Sequence, residues 1–128
     1  MKGKKWKIVA TGLHYILNVL YICGVESNIY DTIRNAVQGC LPGSRVLLFG
    51  SRARGDHASN SDYDLLVITP VTFTPKEKIY WSTRIDHAII DAIRVPVDLL
   101  LNSEDEIHRK LELPGHIIRS VMKEGVAL

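Results

Sequence analysis

Apolar positions follow two rhythms along this chain, and the switches between them mark its elements. From Ile8 to Val25 the sequence is uncharged. Leu13, Ile16, Leu17 and Leu20 share one helical face there, and Thr11, His14 and Asn18 another, the pattern of an amphipathic helix. Asn28 with Asp31 forms a helix start, Ile29, Ile33, Ala36 and Val37 give that helix an apolar stripe, and Gly39, Pro42 and Gly43 end it. The rhythm then shortens. Arg45-Val46-Leu47-Leu48-Phe49 reads as a buried strand stopped by Gly50, and residues 51–61 are polar and turn-forming. Asp62 to Thr69 reads as a second strand ending at Pro70. Thr74-Pro75-Lys76-Glu77 combines an N-cap, a proline at the first helical position and a glutamate two residues later, so a helix is expected to run on to the region of Arg94. Pro96 to Leu101 forms a third strand. Ser103 with Glu106 repeats the capping box, Leu113-Pro114-Gly115 interrupts the helix it opens, and Ile117 to Lys123 makes one more helical piece. Gly125 to Leu128 is placed to add an edge strand. Alternation of this kind predicts an α/β (α+β) sandwich, a small sheet covered by helices.

A chain of 128 residues, 46% hydrophobic and 23% charged, has room for one compact domain and shows no internal repeat. Net charge is +2, but it is unevenly spread. Lys2, Lys4, Lys5 and Lys7 face only Glu26 within residues 1–28, which leaves 12 basic and 13 acidic residues for the rest. A nearly neutral domain argues against direct electrostatic binding of nucleic acid. Cys23 and Cys40 stand in no CxxC pair and beside no histidine at ligand spacing, so they read as free thiols in a reducing cytoplasm.

Four lysines ahead of an uncharged stretch look superficially like a signal peptide or a membrane span. Thr11, Gly12, His14, Asn18 and Gly24 make the stretch too polar, no small-x-small cleavage site follows, and Ile22 precedes Cys23 where a lipoprotein signal needs a small residue. Residues 1–28 therefore read as an N-terminal extension, either an amphipathic helix or the product of a misassigned start, with Val25 as an alternative first codon. Residues 29–128 make the domain.

The chemistry concentrates where the strands end. Gly50 and Ser51 close the first strand, ten residues follow, and Asp62-Tyr63-Asp64 opens the second. Asp62 and Asp64 are two apart on an extended segment, so they leave one face of the sheet together. Two carboxylates facing one way repel each other unless a cation lies between them, and oxygen-only donors suit Mg²⁺. Asp98 sits inside an otherwise apolar strand, where an ionised carboxylate is costly without a partner. If its strand lies beside the second one, three carboxylates form a two-metal site. Gly50 lets backbone approach a phosphate, Ser51 offers a hydroxyl, and Arg52 and Arg54 bring fixed positive charge suited to a triphosphate. Taken singly these features are commonplace: a Gly-Ser turn, a solvated Asp-x-Asp, surface arginines. Their joint occurrence on three strand ends is not. His57, His87, His108 and His116 share no spacing and read as non-ligands, and Tyr63 and Trp81 as core or rim aromatics.

Leu48-Phe49-Gly50-Ser51-Arg52-Ala53-Arg54-Gly55 followed by Ser61-Asp62-Tyr63-Asp64-Leu65 resembles the signature of the minimal nucleotidyltransferases, the smallest members of the polymerase-β superfamily. The resemblance covers roughly residues 29–128. It implies a small mixed sheet flanked by helices. Asp62 and Asp64 would chelate the ions that carry the nucleotide, while Asp98 would complete the catalytic site and help deprotonate the acceptor. Two Mg²⁺ ions, with Mn²⁺ as an alternative, and ATP as substrate belong to that picture. Larger relatives carry a helical acceptor-binding domain for which this sequence leaves no room, so another protein is expected to present the acceptor. Relatives of this size are commonly paired with a helical HEPN-type RNase toxin and act as its antitoxin by adding AMP to a toxin tyrosine. Two other readings stay open: a non-catalytic nucleotide-binding module that neutralises its partner by contact, and a small-molecule nucleotidyltransferase with its acceptor pocket in a homo-oligomer.

Overall fold

The computed structural model describes residues 28–58 and 60–128. The amphipathic stretch Ile8–Val25, and the extension that contains it up to residue 27, lie outside them. The fold is that of the unit Thr32–Leu128. Helix α1 (residues 28–40) contributes the fully buried Ile33 and Val37. Strand β1 (Arg45–Phe49) follows, then a short helix α2 (Gly50–Arg54), β2 (Tyr63–Thr69), α3 (Pro75–Ile93), β3 (Val97–Ser103), α4 (Glu104–Leu111), α5 (Ile117–Glu124) and β4 (Val126–Ala127). The alternation of helix and strand expected from the sequence is present, and the sheet is mixed. Its order is β3-β2-β1-β4, with β2 antiparallel to β1 and parallel to β3, and β4 antiparallel to β1.

Capping chemistry explains where the helices begin. Thr74 accepts from the Glu77 amide at 3.2 Å and Glu77 accepts from the Thr74 amide at 3.0 Å, with Pro75 as the first helical residue. Ser103 and Glu106 do the same at 3.1 and 2.9 Å. Ser103 is thus both the last residue of β3 and the cap of α4, so strand and helix meet without a loop. Thr72 and Lys78 tie the segment before α3 and the helix itself to this junction, through Ser103 at 2.7 Å and Glu106 at 2.8 Å. Burial would raise the Glu106 carboxyl; hydrogen bonds from Lys78 and the Ser103 amide, with the charges of Lys78 and Lys110, more than offset it and hold it below its ordinary value.

Residues alternate between the faces of the sheet. Leu47, Leu66 and Ile68 pack under Ile107 of α4 and Ile118 and Val121 of α5, with Phe49 and Leu100 at the margin. The opposite face presents Val46, Leu48, Leu65, Val67 and Leu101, and α3 packs along β3 there with Ile85 and Ile89 buried. Leu65 through Ile68 are all at 0% exposure, so β2 is the strand held on both faces and by both neighbours. Among the described residues no helix is long and apolar enough to cross a membrane.

Candidate functional site

The best-held strand carries the chemistry at its N-terminal end. Asp64 is the second residue of β2 and shares a face with Leu66 and Ile68. Its neighbour across the antiparallel pair is Phe49, the last residue of β1; its neighbour across the parallel pair is Asp98, the second residue of β3. Neighbouring strands lie about 4.8 Å apart, so register alone brings two carboxylates from distant parts of the sequence side by side. Asp62 stands just before β2 rather than within it, near enough for its charge to act on Asp64. The expected adjacency of the second and third strands is therefore present, in the register that pairs the two aspartates.

Electrostatics records the crowding. The Asp64 carboxyl is held above its ordinary value, first by partial burial, then by the negative charges of Asp98 and Asp62, while Arg54 pulls the other way. Asp98 and Asp62 both act on Asp64, and the charge of Arg54 is felt at the same carboxyl. Among the described residues no three His, Cys, Asp or Glu side chains already stand close enough to grip an ion. The donors on hand are nonetheless oxygen-only and mutually repelling, the chemistry that a hard divalent cation satisfies.

Asp98 differs from its sequence reading. An acidic residue inside Val97-Asp98-Leu99-Leu100 looked like a poorly compensated buried charge. In the structure it is exposed. The physical reason is topological: β3 is the edge of the sheet, and Asp98 lies near its start, where water can solvate the carboxylate.

The segment after β1 also departs from expectation. The sequence predicts a polar turn over residues 51–61, but Gly50–Arg54 closes into a helical turn first. Gly50 makes that possible with φ +75°, where side chains are strained. It matters for a second reason. A Cβ placed on Gly50 would overlap the Asp64 carboxylate, coming within 2.9 Å of its carboxyl carbon and closer still to Oδ2. The absent side chain is what lets backbone lie against Asp64. The Ser51 carbonyl closes the turn by accepting from the Gly55 and Asp56 amides at 2.9 and 3.1 Å, so its backbone is structural, and the residue as a whole is half-buried.

The two arginines part company. Arg54 is exposed on α2, at 3.3 Å from Asp56 and 3.4 Å from Glu124, both water-accessible contacts that leave its charge felt at Asp64. Arg52 instead donates from Nε to the Ser61 carbonyl at 2.9 Å and lays its guanidinium over the Tyr63 ring, 4.0 Å from the centroid. It grips the chain on both sides of Asp62. The sequence suggests charge for a phosphate at Arg52 but not this second task, because the partners lie across a ten-residue loop. Tyr63 is a core aromatic at 4% exposure, and Trp81 is a rim aromatic stacked 6.2 Å from Phe73. His116, given no role by its spacing, caps α5 by accepting from the Ile118 amide at 3.1 Å.

Comparison with known proteins meets this geometry. Residues 31–128 match the model of the nucleotidyltransferase domain. The chain belongs to that family. It is a nucleotidyltransferase, and the strand ends just described lie within the matched domain. It is 27% identical over 84 residues to a protein of Methanocaldococcus jannaschii provisionally named a protein adenylyltransferase, a match spanning 66% of this chain and 76% of that one. Among solved structures it is similar to a nucleotidyltransferase from Sulfolobus solfataricus, with a TM-score of 0.52, 26% identity and coverage of 78% of this chain and 76% of that one. It also shares its fold with a chain of a toxin–antitoxin crystallised with AMP-PNP, at a TM-score of 0.56 and 19% identity, covering 77% and 70% of the two chains.

Proposed function

We propose that this nucleotidyltransferase moves a nucleoside monophosphate, AMP from ATP, onto a hydroxyl of a partner protein, and that it acts as the antitoxin of a HEPN-type RNase toxin by modifying a tyrosine. The observation that carries the catalytic part is the register pair Asp64–Asp98, with Asp62 beside it and the backbone of Gly50 against Asp64. The partner reading is supported by the relative named a protein adenylyltransferase and by the toxin–antitoxin that shares the fold.

In the proposed reaction the acceptor oxygen attacks the α-phosphorus of the nucleotide. The bond between that phosphorus and the bridging oxygen to the β-phosphate breaks, and pyrophosphate leaves. Asp98, exposed at the edge, accepts the acceptor's proton. Ser51 donates its hydroxyl to a phosphate oxygen and Arg54 places positive charge beside the departing pyrophosphate. Arg52 keeps Asp62 in place through Ser61 and Tyr63 and is near enough in sequence to add charge for the triphosphate. Asp62, Asp64 and Asp98 would hold two Mg²⁺ ions (or Mn²⁺), whose chemistry there is to neutralise the triphosphate and the developing negative charge. Without cations, a triphosphate would face three carboxylates.

Calorimetric titration with ATP tests the nucleotide site. Binding is expected in Mg²⁺ and lost in excess chelator; equal affinity in both would remove the carboxylate site from the account. In the same titration, Ser51→Ala deletes one hydrogen bond to a charged group, worth about 1.5–3 kcal/mol, so affinity should fall roughly tenfold or more. The melting temperature without nucleotide should barely move, since the bonds that close the turn come from the Ser51 backbone. A large loss of stability would make the Ser51 side chain a structural element instead.

A further inference from the structure

Along β3, from the residue after Asp98, runs a groove that the nucleotide chemistry does not use. It has a volume of about 570 Å³, with Ile79, Ser82 and Thr83 of α3 on one side, Lys110 of α4 on the other and residues 99–102 of β3 between them. Consecutive strand residues point to opposite faces, so four in a row can line one groove only along the strand's edge. The groove is therefore the open margin of the sheet. A smaller hollow lined by Ser82, Thr83, Asp86 and Leu99 adjoins it on the α3 side of the strand.

The backbone of that margin is available. The Tyr63 amide donates to the Pro96 carbonyl, and Tyr63 pairs with Val97, so residues 96, 98, 100 and 102 turn their backbone groups to β2. Val97, Leu99 and Leu101 turn theirs outward, and among the described residues β3 pairs with β2 alone. An edge of this kind accepts an extended segment as a further strand. Charge gives the groove a direction. At its far end Lys78 meets Glu106 and Lys110 meets the neutral Asn102 amide at 2.5 Å, leaving one net positive charge. Asp98 stands on the same strand one residue before Leu99, four residues from Asn102 and, by strand alternation, on the same face as Asn102.

We infer that the edge of β3 binds the acceptor polypeptide as an added strand, delivering its hydroxyl to Asp98 and an acidic side chain to Lys110. The inference rests on the reading of the chain as a protein-modifying nucleotidyltransferase. Asp98 and Asn102 are four residues apart, roughly 13 Å along an extended chain, so the acidic residue stands about four positions from the modified hydroxyl.

The test gives the full chain Mg²⁺, ATP labelled at the α-phosphate and degenerate nonapeptides with one central tyrosine, or serine or threonine in parallel pools. Labelled peptides are sequenced. Asp or Glu is expected to be enriched four positions to one side of the labelled residue, and Lys110→Glu is expected to abolish that enrichment. The selected peptide, N-methylated at alternate residues on its edge-facing side, should be labelled at least tenfold more slowly through a higher KM. Leu99→Pro, which removes an outward amide, should have the same effect with ATP affinity unchanged. Labelling without positional preference, or methylated peptide labelled as fast as its parent, overturns the inference. ATP that is bound but transferred only to a folded protein, and to no peptide, overturns it too while leaving the nucleotidyltransferase reading intact; failure to bind ATP removes that reading instead. A dimer dispersed by Leu99→Pro would assign the edge to a second copy and likewise overturn it.

Discussion

Asp98→Asn is expected to reduce transfer by about 10²–10⁴-fold, the range for losing a positioned general base, while ATP affinity stays within a few-fold of wild type. The separation follows from position. Asp62 and Asp64 belong to the strand and loop that lie against Gly50, whereas Asp98 comes from the edge strand and meets them only through the pairing of β2 with β3. An interaction made only in the transition state lowers kcat and kcat/KM together and leaves binding alone. Stability should hardly change, since Asp98 is exposed and substitutions at such sites usually fall within about 0.5 kcal/mol. A further readout separates proximity from coincidence. Removing the Asp98 charge takes away one of the two negative charges that raise the Asp64 carboxyl, so the Asp64 titration followed by NMR should move to lower pH. Unchanged transfer, or an Asp64 titration that stays put, would place Asp98 outside the site.

Gly50→Ala is expected to cost both activity and stability. A side chain at φ +75° carries strain of about 1–2 kcal/mol, and in a domain of this size each kcal/mol lowers the melting temperature by roughly 4–8 °C. The added carbon would also push the Asp64 carboxylate from its place. A displacement near 1 Å can cost about 10²-fold in rate, so transfer should fall at least that far. Asp64→Ala supplies the control: it removes the carboxylate that the new methyl strikes, so Gly50→Ala in that background should destabilise less than it does alone. Additive losses in the melting curves would show that the two residues do not touch.

The pattern of apolar residues made most of this fold legible. Arg45–Phe49 forms the strand expected, both capping boxes open the expected helices, and Val126–Ala127 pairs at the edge of β1. Elements bounded by local chemistry are readable because the atoms that define them are three or four residues apart. What local pattern does not carry is pairing across the sheet. The order β3-β2-β1-β4 makes β3 an edge, and only that exposes Asp98. Arg52 likewise looks like free positive charge until the loop folds back and sets Ser61 and Tyr63 under its guanidinium. Gly50 shows the opposite case. The sequence marks it as a place where backbone approaches a ligand, and the structure adds that the close neighbour already present is Asp64.

The central claim is that Asp62, Asp64 and Asp98 serve transfer of a nucleoside monophosphate to a partner protein. The most direct measurement offers the chain, together with any protein that co-purifies with it, ATP labelled at the α- or at the γ-phosphate, with Mg²⁺, and asks which label enters protein. α-Label is expected on a tyrosine of the partner, γ-label in released pyrophosphate, and neither event with Asp64→Asn. Label entering protein from the γ-phosphate, or a partner that is silenced without receiving any label, would contradict it.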